Sequence, residues 1–148
     1  MIQNTDGMNA EEIMALQSGI AAFEGKHFVR AYQLLLPLAQ AGHPEAQYRL
    51  AIMSQNGLGM VRNEFQARHW MQEAAQQGLC LAQHGLGYMY MQGDCIPQDD
   101  TQAVHWFRLA AEQGLAGAQA TLGSLYEAGR GVEKDLDEAK RWYTMAGF

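Results

Sequence analysis

The chain is poor in the residues that carry most protein chemistry. It has two cysteines, three prolines and ten basic residues in 148 positions. No apolar run approaches the roughly 20 residues of a membrane-spanning helix, so no membrane partner is expected. Ten scattered Lys and Arg against sixteen Asp and Glu make a poor phosphate-neutralising surface, so nucleic acid is not an expected partner either. Cys80 and Cys95 lie at opposite ends of a stretch that reads as one helix. At about 1.5 Å of rise per residue they are about 20 Å apart. A disulfide needs Cα atoms within about 7 Å, so both read as free thiols. Without converging partners they make no zinc site. The opening "MIQNTDGMNAEE" has no basic segment followed by an apolar one, so no signal peptide is expected and a cytoplasmic location is. The sequence contains no H-E-x-x-H, no G-x-S-x-G and no Cys/His ligand cluster. No metal, cofactor or catalytic residue is therefore expected, and the chain reads as a non-enzyme.

What the sequence does contain is repetition. "HWMQEAAQQG" at His69 to Gly78 returns as "HWFRLAAEQG" at His105 to Gly114, and again as "RWYTMAGF" ending at Phe148. At an offset of 36, three units align: 43–78, 79–114 and 115–148. Seven columns are identical, among them Ala46/Ala82/Ala118, Gln47/Gln83/Gln119, Gly57/Gly93/Gly129 and Trp70/Trp106/Trp142. A fixed period of this length marks a solenoid of stacked helix pairs. In each first helix, small or apolar residues such as Ala46, Leu50, Ala51, Met53 and Ser54 form one stripe. Gly57, Gly93 and Gly129 end it, because glycine enters the left-handed C-terminal cap freely. Asn63, Asp99 and Asp135 begin the second helix as N-caps, with Gln66, Gln102 and Glu138 placed for a capping box. The recurring phrase is the buried face of that helix, and its tryptophan is expected to fill the gap within its own pair.

Residues 9–42 form a divergent opening unit. Ala31, Ala39 and Gly42 keep the register, Leu34 takes the tryptophan column, and Pro37 is expected to kink the second helix or shift its start. The expectation is an all-α solenoid of four helix pairs over residues 9–148, a single repeat domain, behind a flexible tail at residues 1–8.

The stretch "AQATLGSLYEAGRGVEKDLDEAKRWYTMAG", Ala118 to Gly147, resembles the Sel1-like repeat, a relative of the tetratricopeptide repeat. The unit at 79–114 fits the same pattern with Cys95 in place of the second glycine. The unit at 43–78 has Ala51 in the glycine column and Ser54 in the tyrosine column. The opening unit is closer to a tetratricopeptide repeat, through Phe28 and Ala31. The resemblance implies a right-handed α/α superhelix whose first helices line a concave face, and an adaptor or scaffold function in protein complexes.

Columns that agree between repeats serve stacking, and columns that disagree are available for function. Residues 48, 52 and 55 and their equivalents disagree, and offsets of four and seven set them on one helix face. That face reads Tyr48, Ile52, Gln55, then His84, Tyr88, Met91, then Ala120, Ser124, Glu127. It is the candidate binding face for a peptide or helix of a partner protein, since exposed aromatic and apolar residues mark docking sites. The opposing reading is that these side chains pack against one another. Glu127, with Asp135 and Glu138 nearby, would favour a basic end on the peptide. Tyr143, Met145 and Phe148 are expected to stay partly exposed, as an end-to-end contact in a homodimer or with a docked partner. A small-molecule binder or hydrolase using the groove around His84 and Tyr88 is the competing class of function. Self-assembly through the C-terminal helix is the third.

Overall fold

The computed structural model describes residues 7–148. Eight helices and no strands are present among them: α1 (Ala10–Glu24), α2 (Phe28–Gln40), α3 (Pro44–Asn56), α4 (Glu64–Gln76), α5 (Cys80–Gln92), α6 (Asp100–Glu112), α7 (Ala116–Ala128) and α8 (Leu136–Ala146). They pair in chain order as antiparallel neighbours. Most of the predicted tail falls on residues 1–6, outside the described residues; Met8 packs against the core beside α1.

The caps follow the expected chemistry. Gly57, Gly93 and Gly129 close α3, α5 and α7 at φ of 66°, 68° and 66°. Asn63, Asp99 and Asp135 open α4, α6 and α8, each accepting a bond from the backbone three residues on. The full reciprocal box forms at α1, where Asn9 and Glu12 bond each other's backbone. Each long loop is closed by the same two backbone bonds, for example Leu58 N to Met53 O and Asn63 N to Ser54 O. In α5 to α6 the left-handed residue is Cys95, φ 65°, where its counterparts Gly59 and Gly131 have φ 68° and 71°. Pro37 sits inside α2 without shifting its start, because Phe28 keeps the register of Glu64 at the 36-residue offset. The proline falls in the last turns, where one lost backbone bond is tolerated.

The chain divides into two compact units, Met1–Gln77 and Gly78–Phe148. The core of the first is built from residues such as Leu16, Ile20, Leu35, Leu50 and Met53, with Trp70 half-buried against it. That of the second is built around Phe107, Leu122, Leu125, Tyr126 and Trp142.

The tryptophan column is one part of what fills each pair. Trp142 is buried in the core of its own pair, while Trp70 and Trp106 are half-buried. The next side chain along also fills each pair: Leu35, Met71, Phe107 or Tyr143. It lies opposite a small residue of the first helix. A Cβ added to Gly87 would stand 2.9 Å from the Phe107 ring, one added to Gly123 would stand 3.1 Å from the Tyr143 ring, and one added to Gly19 would stand 2.5 Å from Leu35 Cδ2. In the second pair the same positions are Ala51 and Met71, both buried. Glycine thus stands where the filler is a ring or a branched leucine, and alanine where it is an unbranched, adaptable methionine.

Neighbouring pairs within a unit are clipped by the invariant glutamine. Gln47 Nε2 donates to Ala39 O at 3.2 Å, and Gln119 Nε2 donates to Ala111 O at 3.1 Å. Both carbonyls belong to the last turn of a preceding second helix, where helical partners run out. Gln77 and Gln113 donate back to the Gln47 and Gln83 amide oxygens at 2.8 and 2.7 Å.

Gly87→Ala should destabilise the protein by about 1–2 kcal/mol, the overpacking cost exceeding the helix-propensity gain of alanine. Gly87→Ala combined with Phe107→Met recreates the Ala51 and Met71 pairing and should recover at least half of the loss. Urea unfolding followed by circular dichroism measures both. Equal instability of the single and double variants would mean that the ring does not set the helix approach.

Candidate functional site on the first-helix face

The variable columns occupy one side of the first helices, and each unit shows what they do there. In the second unit, Tyr88 and Met91 on α5 face Ala120, Thr121, Ser124 and Ala128 on α7, with Leu125 at the floor and Arg130 at one end, around an open groove. Tyr88 is 37% exposed, which leaves its ring edge available. Thr121 Oγ1 donates to Gly117 O at 2.8 Å, so in its 3.4 Å contact with Tyr88 the tyrosine hydroxyl is the donor. Arg130 donates to Met91 O at 2.8 Å and to Asp100 Oδ2 at 3.0 Å, fixing the end of the groove.

Beneath the groove lies a cluster of three rings. His84 sits 4.9 Å from Tyr88 and 5.6 Å from Phe107, and Tyr88 sits 5.1 Å from Phe107, all edge-on. The His84 Nε2 is buried with no hydrogen-bond partner, above Gly117. Burial lowers the imidazole pKa below its ordinary value. His84 is thus a packing residue of the groove's floor more than a ligand on its surface. The sequence left open whether this face is exposed or self-packed, and here it divides: His84 packs inward, while Tyr88 and Met91 reach the groove.

Ser124 and Glu127 lie exposed on α7 beside Tyr143. Burial first, and then hydrogen bonding to the Glu127 carboxylate, push the Tyr143 hydroxyl pKa up, with Ser124 acting in the opposite sense. Tyr143 is half-buried, partly exposed as expected, with one side of its ring over Gly123. Met145 and Phe148 are 53% and 83% exposed. Asp135 is held by its capping bonds, and Glu138 pairs with Arg141 at 2.9 Å.

In the first unit, Tyr48, Ile52 and Gln55 are half-buried on α3. The Gln55 carbonyl accepts from Arg62 Nε at 2.8 Å. The neighbouring stripe of the same helix holds charged groups that the sequence reading passed over. Glu45 and Arg49 are buried to 1% and 7% exposure. Arg49 stands 3.9 Å from both Glu45 and Glu24, with its guanidinium 5.0 Å from the Phe23 ring. Their columns read Glu45/Leu81/Gly117 and Arg49/Gly85/Thr121. A switch between charged and apolar or small residues, four apart, was the available signal that this stripe is enclosed.

His27, His69 and His105 are exposed and His43 is half-buried. Among the described residues, no group of three or more His, Cys, Asp and Glu is arranged to hold a metal ion. No helix there is long and apolar enough to cross a membrane.

The buried imidazole gives a pH dependence whose sign is fixed. The folded state holds His84 neutral below its usual titration range, while the unfolded chain protonates near pH 6.5. The unfolded state then binds more protons, so stability should fall as pH drops below about 6.5. His84→Gln should flatten that slope relative to the parent. Thermal unfolding between pH 7.5 and pH 5, run on both proteins, is the check; identical slopes would remove His84 as the cause.

Residues 44–79, 80–115 and 116–147 each match the Sel1 repeat model. No curated protein matched the chain. A protective antigen present in uropathogenic Escherichia coli strains, with an SLR fold, is similar at 36% identity and a TM-score of 0.86, over 91% of this chain and 30% of its own. A Sel1 repeat protein from Oxalobacter formigenes is similar at 34% identity and a TM-score of 0.84, over 89% of this chain and 53% of its own. The chain therefore spans about a third and about half of the lengths of these two relatives. Helicobacter pylori cysteine rich protein B shares the fold, at 17% identity and a TM-score of 0.58 over 97% of this chain and 91% of its own. Three matched repeats in register, on eight helices with the caps and clips described, make this chain a member of the Sel1 repeat family.

Proposed function

We propose that this protein is a non-enzymatic adaptor that holds a segment of a partner protein along its first-helix face. Sel1 repeat proteins are generally protein-interaction adaptors. The observation that carries the reading is the groove between α5 and α7, walled by Tyr88, Met91 and Ser124 at columns that stacking leaves free. Tyr88 offers a rigid amphipathic anchor and Met91 an adaptable one, while Ala120 and Ala128 leave room for an incoming side chain. The rings below hold Tyr88 in place, so little ordering is needed on binding. Tyr48, Ile52 and Gln55 supply equivalent positions on α3. The cytoplasmic reading is supported by Cys80, a free thiol, which persists in a reducing compartment.

A photo-crosslinking residue at Ser124 should capture a partner, and one at Lys140 should not. Tyr88→Ala with Met91→Ala should cut the Ser124 capture by at least about tenfold, as loss of two anchors does. Capture that is equal at both sites, or unmoved by the double variant, would sink the groove reading.

Self-association is the second reading, favoured by the exposure of Met145 and Phe148. Light scattering over a hundredfold concentration range should then show a dimer that Phe148→Ser disperses. A monomer at every concentration disposes of it.

A further inference from the structure

The second-helix edge of the first unit carries apolar side chains that the matching positions of the second unit lack. Val29 and Phe65 share a column near the starts of α2 and α4 and are 61% and 67% exposed; the later repeats have Thr101 and Asp137 there. Val61, in the loop before α4, is 87% exposed, and its later counterparts are Pro97 and Glu133. These residues are held near one another. A Cβ on Gly59 would come within 2.8 Å of Val29 N, so the loop that carries Val61 lies against the start of α2. Phe65 follows on the first turn of α4. Its ring stacks parallel to His69, 6.4 Å away at 4°, and the Arg68 guanidinium stands 5.7 Å from it.

The charge at this edge runs against that of the chain. The formal net charge is −6, yet Lys26 and Arg30 flank Val29, and Arg62 and Arg68 flank Val61 and Phe65. The acid in these two short stretches is Glu64, already paired with Arg62 at 2.6 Å. Apart from Arg62, which ties its loop to Gln55 O on α3, these side chains take no part in the steric helix-pair contacts or the glutamine clips. The repeats themselves mark the positions as free to vary, and the variation in this unit is toward exposed apolar and cationic residues.

We propose that this edge of the first unit docks an acidic segment of a partner protein that carries an aromatic or aliphatic anchor. The surface uses none of the residues of the groove of α5 and α7 and deepens the adaptor reading, on which it rests, by giving the protein a second docking face with a preference for acidic segments. Cations around an exposed aromatic ring attract carboxylates and repel basic segments, which sets both orientation and choice of partner. Phe65, held by stacking on His69, presents a ring with little freedom left to lose. An anionic lipid surface is the poorer fit, because the apolar groups sit on a loop and two helix starts and form no continuous apolar helix face.

The test is a titration of the isotopically labelled full chain, followed by amide NMR. The probes are a synthetic acidic peptide with one Phe and one Trp, its charge-reversed lysine counterpart, and vesicles of phosphatidylcholine with phosphatidylserine. The acidic peptide should shift the amides of Val29, Val61, Phe65 and Arg68, and the shifts should weaken with added salt. Phe65→Ser, and separately Arg30→Glu with Arg68→Glu, should each reduce affinity at least about tenfold. All three positions lie at the surface or half-buried, and circular dichroism confirms that each variant is folded. Equal response to both peptides, response to vesicles alone, or no response at this edge overturns the proposal. Acidic-peptide shifts confined to Ala120, Ser124 and their neighbours overturn it too, while leaving the adaptor reading standing.

Discussion

Within each helix pair a bulky side chain from the second helix meets a residue of the first that has almost no side chain. Gly19 receives Leu35, Gly87 receives Phe107, and Gly123 receives Tyr143. This contact fixes how closely the two helices lie, and the loops depend on it. The bonds from Asn63, Asp99 and Asp135 back to residues 54, 90 and 126 form only if both helices hold the same spacing in every repeat. The opening pair solves the same problem with a shorter turn. Lys26 at φ 63° does there what the glycine loop does elsewhere, at the strain cost of a non-glycine residue in the left-handed region.

A second constraint acts between pairs and is polar. A buried primary amide has two donors and one carbonyl to satisfy, and leaving any of them unpaired costs about 1–3 kcal/mol. Gln47 and Gln119 meet that demand by reaching a last-turn carbonyl of the preceding helix, as a second donor beside the backbone N–H of Gly42 or Gly114. Gln47 and Gln83 then accept from Gln77 and Gln113. The hydrogen-bonded column recurs as an identity, and the steric contact recurs as a fit between two columns that vary together. Columns 48, 52 and 55 and their equivalents serve neither, and they drift from Tyr, Ile and Gln to Ala, Ser and Glu.

That division explains what could be read before any coordinates. The period, the pairing, the glycine terminations and the N-caps are local, and each leaves a mark at a fixed offset. The recurrence of tryptophan shows that its column is constrained and not which neighbours share the filling of the pair. The adjacent column varies as Met71, Phe107 and Tyr143, and looked dispensable for that reason. It varies because its partner varies with it, from Ala51 to Gly87 and Gly123. The buried Glu45 and Arg49 were missed for a related reason. Arg49 is enclosed from α1, where Phe23 and Glu24 stand beside it, and the column switch marks the stripe without naming the neighbour that covers it.

The same bookkeeping bears on which free positions can serve binding. His84 is free by the repeat comparison yet lies among Tyr88, Phe107 and Gly117, with a buried ring nitrogen that finds no partner. Its contribution is to support Tyr88 from below, and substituting it would loosen the groove without removing a contact from it. Tyr88, Met91 and Ser124 rest on that support and still meet solvent or the groove. Val29, Val61 and Phe65 are free in a different sense, since they bear on neither packing column and keep most of their surface in water. An exposed phenylalanine held by a histidine and an arginine has been given a fixed direction without being given cover. Fixed direction with no cover is what a docking anchor requires and what a core residue never has.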